Sequence, residues 1–228
     1  MDAVRVLAEV VLAVPTASFV DRVSSALVVD RPLFRPAASS RVSPRPLAIG
    51  AVLVVLFGLA AVRFAESSWL ETFAYLALFA VLLLLSLVDV AEYRLPDVVV
   101  LPSILVGFVT VALVSVVDGT PDRIRTALVG SVVAFAVLLA AHLVSPRGMG
   151  FGDVKLAVLL GLAVGWQGSN ALEAVVLVLW MLLIGFGVGS LAGVVLWIVR
   201  RSNRPFPFGP FLALGTVATV LLAPSLVG

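Results

Sequence analysis

Asp89 and Asp153 each stand where a long apolar stretch meets a polar one, within FAVLLLLSLVD and GMGFGDVKL respectively. Charged groups at membrane depth are costly, so an ionisable residue there is a functional candidate and needs a partner. Two neighbouring carboxyl groups cannot readily both be ionised, so one keeps a proton and serves as acid while the other activates water. We expect each aspartate to be the other's partner in such general acid–base chemistry.

Each of these positions also has a simpler structural explanation. Asp89 alone could be the polar end of a helix in the headgroup layer, and Asp153 alone could be a first-turn residue favoured by the helix macrodipole. Asp97 follows Pro96 at the start of the next apolar segment and makes a natural N-cap. Position alone therefore does not separate catalysis from a role at a helix end.

The backbone around both aspartates favours a functional site. Asp153 is surrounded by glycines that let the backbone approach another segment closely: Gly148, Gly150 and Gly152. The turn formed by Leu95, Pro96 and Asp97 makes a rigid connection just after Asp89. A plain helix end needs neither feature, so we expect the surrounding backbone to hold both aspartates in fixed positions.

The composition places the chain in a lipid bilayer. It is 62% hydrophobic and 12% charged, with a mean hydropathy of +1.21, whereas a soluble domain is about half apolar and about a quarter charged. The net charge is only +2, and the arginines are spread over several loops, which argues against nucleic-acid binding.

The chain has no cysteine, which excludes a disulfide, a thiol nucleophile and a cysteine-based zinc site. Its one histidine, His142, supplies only one of the three or four protein ligands that a zinc site needs. We therefore expect no metal and no other cofactor, and we interpret His142 as a helix-end or packing residue.

Eight charge-poor stretches are candidates for membrane helices, because crossing the hydrocarbon core takes about 20 apolar residues. They fall near residues 4–20, 46–62, 69–90, 98–117, 124–144, 154–166, 171–199 and 206–226. The sixth is short for a full crossing, so a re-entrant segment is an alternative there. The expected fold is an all-α polytopic bundle of about eight transmembrane helices, with one membrane-embedded domain over residues 1–228.

The basic residues predict the orientation of this bundle. If all eight segments cross, the loops on one side carry eleven arginines and lysines and those on the other carry four. The first side is then cytoplasmic by the positive-inside rule. Both aspartates fall on that side, together with the interval 21–45, which is rich in Arg, Ser and Pro and is interpreted as a loop.

The two acidic motifs together resemble those of the prepilin peptidases, or type IV leader peptidases, which are GxGD-type intramembrane aspartyl proteases. The pattern D-x5-LPD is given by Asp89 and residues 95–97, and G-x-G-D-x-K by residues 150–155. The stretch PFPFGPFLALG, residues 205–215, is similar to the family's Pro-Phe-Gly-Pro segment, and residues 17–23 weakly resemble its N-terminal signature. Presenilin-like proteases also carry G-x-G-D, but the Pro-Ala-Leu motif that they need near the C-terminus does not occur here.

The resemblance implies a membrane aspartic endopeptidase with Asp89 and Asp153 as its catalytic pair. The implied substrate is a type IV prepilin or pseudopilin, whose short leader is removed at the cytoplasmic face of the inner membrane. The matching residues of the two motifs are expected to shape the site: Leu95, Pro96, Asp97, Gly150, Gly152 and Lys155.

Helix ends suggest how the pair divides the work. Asp153 lies at an N-terminal end, where charge is favoured, and is expected to be the ionised base, while Asp89 at a C-terminal end is expected to be the protonated acid. Lys155 points away from Asp153 by about 200° on a helix. The resemblance implies a role for Lys155 near the site, such as contact with an acidic side chain of the substrate, and anchoring to lipid headgroups is the alternative.

Bifunctional members of the family carry paired cysteines, tied to N-methylation of the product, in the interval that matches 21–45. This chain has none, so we expect a peptidase that only cleaves, or one that methylates at a different site. The main alternative is a proton- or cation-coupled membrane transporter, in which paired carboxyl groups carry the ion. A transporter would need acidic groups near the bilayer midplane, whereas both aspartates fall at one face.

Overall fold

A computed structural model describes residues 3–29, 44–146, 149–200 and 207–227. These residues form helices and short turns, with no strand among them. The helices are α1 (Ala3–Val29), α2 (Pro44–Arg63), α3 (Trp69–Glu92), α4 (Asp97–Val117), α5 (Asp122–Val144), α6 (Phe151–Gly165), α7 (Ala171–Arg200) and α8 (Gly209–Val227). The expected all-α bundle is confirmed, and each helix overlaps one of the eight apolar stretches.

Six helices of the described chain are long and apolar enough to cross a membrane: α2, α3, α4, α5, α7 and α8. The protein is therefore a multi-pass membrane protein. The short sixth helix is not among the six, because its 15 residues extend only about 22 Å at 1.5 Å per residue. A hydrocarbon core is about 30 Å thick.

The short helix α6 lies at the centre of the bundle. Eleven of its residues are buried, and a helix that is apolar all round belongs inside a bundle. It packs closely on α5, since a β carbon added to Gly161 would lie 2.3 Å from the carbonyl oxygen of Gly130. Small residues at such contacts let two backbones approach closely, which holds α6, and with it Asp153, firmly against α5.

The far end of α6 is held by hydrogen bonds to its last carbonyl groups. The Tyr75 hydroxyl donates to the Ala163 carbonyl at 2.8 Å, and Arg123 Nε donates to the Trp166 carbonyl at 3.0 Å. The last carbonyls of a helix have no partner within the helix, and both donors supply one. Arg123 is itself paired with buried Glu71.

The interval 21–45 is not a loop throughout, because α1 continues to Val29. Residues 16–29 contain no glycine or proline to end the helix. Polar residues within this stretch face α2, where Arg45 pairs with Asp21 at 3.5 Å and donates to the Ser24 hydroxyl at 3.2 Å. The remainder of the predicted loop, residues 30–43, lies outside the described residues.

Candidate active site

A cavity of about 660 Å³ opens at one end of the bundle. There the C-terminal end of α3 meets the N-terminal ends of α4 and α6, with Phe208 just before α8. This cavity is called the cleft below. It is lined by every residue that the two motifs single out: Asp89, Leu95, Pro96, Asp97, Gly150, Gly152, Asp153 and Lys155. Gly148 lies outside the described residues.

Asp89 lies in the last turn of α3 and is only 5% exposed. Its Oδ2 atom accepts a hydrogen bond of 2.9 Å from the backbone N–H of Gly209, the first residue of α8. The N-terminus of a helix carries partial positive charge and favours a nearby anion. Asp89 therefore receives both a donor and a helix dipole, which partly offset the cost of burying its ionised form.

Asp153 is the third residue of α6 and is 8% exposed. Its backbone N–H donates to the carbonyl of Gly150, which is the N-cap of the helix, at 3.1 Å. The helix that carries Asp153, α6, is not one of the six helices that are long enough to cross a membrane. Burial, and secondly the charge of Asp89, raise the pKa of the Asp153 carboxyl from 3.8 to about 7. Asp153 thus keeps its proton at a higher pH than an exposed aspartate does.

Leu95 is packed between the elements that carry the two aspartates. A β carbon added to Gly152 would lie 3.1 Å from the β carbon of Leu95, and one added to Gly209 would lie 3.5 Å from Leu95 Cδ2. The two glycines thus leave room for Leu95 beside Asp89 and Asp153. Leu95, in the turn after α3, thus packs against the first residues of both α6 and α8.

Lys155 forms an ion pair with Asp97 across the cleft. Its Nζ atom lies 2.8 and 2.7 Å from the two carboxylate oxygens, and it sits 5.4 Å from the centre of the Phe151 ring. Asp97 is not the N-cap of α4, since Pro96 holds that position and makes no side-chain capping bond. The carboxylate turns instead to the ammonium group of α6. Lys155 thus links α4 to α6 at the cleft rather than serving only as a headgroup anchor.

A model of the type IV leader peptidase family matches residues 76–198, which contain both aspartates. The chain belongs to this family. A protein named prepilin leader peptidase/N-methyltransferase from Pseudomonas putida is 36% identical over 188 residues, 81% of this chain and 61% of that protein. A protein of the same name from Aeromonas hydrophila is 33% identical over 166 residues, 72% of this chain and 53% of that protein.

The chain thus spans between half and two thirds of the length of these two curated relatives. A third, from Pseudomonas aeruginosa strain PAO1 and of the same name, is 36% identical over 138 residues, 58% of this chain and 43% of that protein. No solved structure matches the chain. The resemblance to prepilin peptidases, first seen in the two acidic motifs, is confirmed.

Some residues that line the cleft could not be chosen from the sequence. Tyr93 caps the C-terminus of α3 with φ 54° and ψ 32°, a left-handed conformation that tyrosine rarely adopts. Phe151 lines the cleft and is 48% exposed. The sequence did point to Gly209, because it lies in the stretch 205–215 that is similar to the family's Pro-Phe-Gly-Pro segment. Residues 205 and 206 of that stretch lie outside the described residues. Nothing in that stretch showed that its glycine N–H meets Asp89.

Proposed function

We propose that the protein is an aspartic endopeptidase that removes the leader peptide from type IV prepilins or pseudopilins. The observation that carries this proposal is the meeting of Asp89 and Asp153, 64 positions apart, in one cleft at one end of a membrane bundle. The relatives are named for prepilin cleavage. The transporter alternative has no comparable support, because the matched family is a peptidase family.

The surroundings of the two carboxyl groups suggest roles opposite to those expected from helix ends alone. In our proposal Asp89, which accepts the Gly209 N–H, is the ionised base, and Asp153 carries the shared proton. Asp89 takes a proton from water as the water oxygen attacks the scissile carbonyl carbon, while Asp153 donates its proton to the carbonyl oxygen. Collapse of the tetrahedral intermediate then breaks the C–N bond: the proton on Asp89 passes to the leaving nitrogen, and a hydroxyl proton of the intermediate returns to Asp153 as the new carboxyl group forms.

We further propose that the cleft faces the cytoplasm from the inner membrane. The alternation of the eight apolar stretches in the sequence assigns eleven of the fifteen basic residues to the side of Asp89 and Asp153, which supports this orientation. Of the four at the other end, Arg63 donates to Gln167 at 2.8 Å and Arg123 pairs with Glu71. These two are engaged within the protein, as are Arg45, Arg94 and Lys155 on the cleft side, so the excess of positive charge remains on the cleft side.

N-methylation of the cleaved product is a separate activity. The curated relatives are named for both leader peptidase and N-methyltransferase, but this chain contains no cysteine and hence no cysteine pair tied to methylation. We propose that this protein cleaves without methylating. The same cleaved product reports on both activities, since its size shows cleavage and the mass of its new N-terminus shows methylation.

The decisive experiment incubates the purified protein in lipid vesicles with a prepilin precursor and a methyl donor, followed by mass spectrometry. We expect a shortened product with a free α-amino group. Asp89→Asn and Asp153→Asn should abolish cleavage, because asparagine keeps the shape and cannot exchange the proton. Asp122→Asn, an exposed aspartate in the first turn of α5, is the matched control and should cleave at the wild-type rate.

Three outcomes would count against these proposals. Full activity in either Asp89→Asn or Asp153→Asn would remove the aspartic mechanism. Failure of the wild type on all prepilin and pseudopilin precursors tested would remove the substrate class. Stoichiometric methylation by the purified protein alone would show that methyl transfer needs no cysteine in this chain.

A further inference from the structure

His142, the single histidine of the chain, lies in the last turn of α5 and is half-buried. Its Nδ1 atom is 2.9 Å from the carbonyl oxygen of Met149. A carbonyl oxygen can only accept a hydrogen bond, so Nδ1 carries the proton and donates it. In the neutral ring, the lone pair is therefore on Nε2.

The Met149 carbonyl belongs to the peptide that leads into Gly150, the N-cap of α6. Glycine has no side chain with which to cap the helix, and its backbone is the least restrained of any residue. The carbonyl of Gly150 is held by the Asp153 N–H at 3.1 Å. His142 binds the carbonyl of Met149, the residue before Gly150. The two hydrogen bonds together therefore orient the backbone just before Asp153.

The His142 ring also contacts the ring of Phe151, the first residue of α6, with centroids 5.5 Å apart and planes inclined at 55°. Phe151 in turn lies within 5.4 Å of Lys155 Nζ, which pairs with Asp97. The first turn of α6 is thus held from α5 through His142 and from α4 through Asp97. Both contacts act on the turn that carries Asp153.

We propose that His142 is a positioning residue that sets the conformation of residues 149–153 and thereby the place of the Asp153 carboxyl. This inference rests on the proposed role of Asp153 in catalysis. His142 is not among the residues that line the cleft, so its loss removes no direct contact with the substrate. The effect falls on kcat and not on KM, because misplacing a reacting group slows the chemical step without weakening ground-state binding.

Wild-type protein and two variants of the full chain test this role. His142→Phe keeps an aromatic ring beside Phe151 but cannot donate, whereas His142→Asn offers an amide N–H close to the position of Nδ1. We expect kcat for precursor cleavage to fall about tenfold or more in His142→Phe, with KM unchanged within about twofold, and to recover largely in His142→Asn. Equal kcat in all three proteins, or an equal loss in both variants, would overturn the proposal.

A spectroscopic measurement tests the hydrogen bond independently of cleavage. Protein labelled with ¹⁵N-histidine gives signals from one imidazole ring only, because the chain has one histidine. We expect the neutral ring to be protonated at Nδ1, and a neutral ring protonated at Nε2 would refute the hydrogen bond whatever the assay shows. If Nδ1 is protonated and the wild type cleaves no precursor, then the proposed function fails, and with it the positioning role, while the hydrogen bond remains.

Discussion

The backbone N–H of Gly209 donates a 2.9 Å hydrogen bond to Oδ2 of Asp89, joining two residues that are 120 positions apart. A β carbon added to Gly209 would lie 2.9 Å from the same oxygen atom, closer than a carbon atom normally approaches. A side chain at residue 209 would therefore displace the Asp89 carboxyl from this position. The last helix thus completes a site whose two carboxyl groups come from α3 and α6.

Gly209→Ala should lower kcat for precursor cleavage about tenfold to a hundredfold, because the added methyl group pushes the Asp89 carboxyl out of place. The matched control is Gly187→Ala in α7, where an added β carbon meets nothing within 4 Å. We expect that variant to cleave at the wild-type rate. Both should insert and accumulate normally, and a fully active Gly209→Ala would show that the contact is dispensable.

The number and type of the helices followed from the sequence, since long apolar stretches reveal membrane helices directly. The residues that the two motifs place in the cleft also followed, because their glycines and prolines mark special backbone. The predictions that failed concerned contacts between side chains on elements that are distant in the sequence. Asp97 looked like an N-cap because its local sequence allows one, but Lys155, 58 positions away, binds it instead.

The same limit explains the reversal of the proposed acid and base roles. The sequence predicted that Asp153 is the ionised residue, because only the dipole of each aspartate's own helix could be considered. The N–H of Gly209 comes from another helix, and its donation to Asp89 could not be deduced from spacing. Likewise, α1 runs on to Val29, and the pairing of its Asp21 with Arg45 of α2 could not be deduced from spacing.

The ion pair between Lys155 and Asp97 should contribute modestly to activity. The Asp97 side chain is 54% exposed and that of Lys155 27% exposed, and exposed pairs of this kind are worth about 0.2–1 kcal/mol. Asp97→Asn and Lys155→Met should therefore each lower kcat/KM by no more than about fivefold. The double variant should lose less than the product of the two single losses, and strictly multiplicative losses would show that the pair has no coupling.

Tyr93 should affect substrate binding more than stability. It is the only non-glycine residue with positive φ among the described residues, and it lines the cleft with 45% of its surface exposed. Tyr93→Asn should change the free energy of unfolding by less than about 1 kcal/mol, because asparagine tolerates the left-handed conformation. The loss of the ring should raise KM about threefold or more.

The control for that variant is Tyr93→Phe, which keeps the ring and removes only the hydroxyl group. KM in Tyr93→Phe should stay near the wild-type value. If KM were unchanged in Tyr93→Asn as well, the ring would have no contact with the substrate. The kinetics and the denaturation midpoint are measured on the same purified preparations.

The far end of the bundle should be the most sensitive to loss of charge. Glu71 is 6% exposed and accepts two hydrogen bonds from Arg123, at 2.6 and 3.1 Å. Glu71→Gln leaves the guanidinium group, which is 23% exposed, without this counter-charge, and the loss should reach at most the cost of about 3–5 kcal/mol for breaking a fully buried pair. Glu92→Gln, next to an exposed arginine at 3.7 Å, should cost less than about 1 kcal/mol. Denaturant unfolding in detergent compares the two, and equal losses would contradict this ranking.

The rate of cleavage should fall as the pH rises through about 7. The proposed mechanism needs Asp89 ionised and Asp153 protonated, and the Asp153 pKa is raised to about 7, first by burial and then by the charge of Asp89. Below that pH the acid is in place, whereas above it kcat/KM should drop about tenfold for each further pH unit. The midpoint belongs to the coupled pair of carboxyl groups.

In Asp89→Asn the neighbouring charge is gone, so the Asp153 pKa should decrease but stay above 3.8, because the carboxyl remains buried. An infrared titration of the protonated carboxyl band measures that change, and a kcat/KM that stays flat up to pH 9 would exclude Asp153 as the acid.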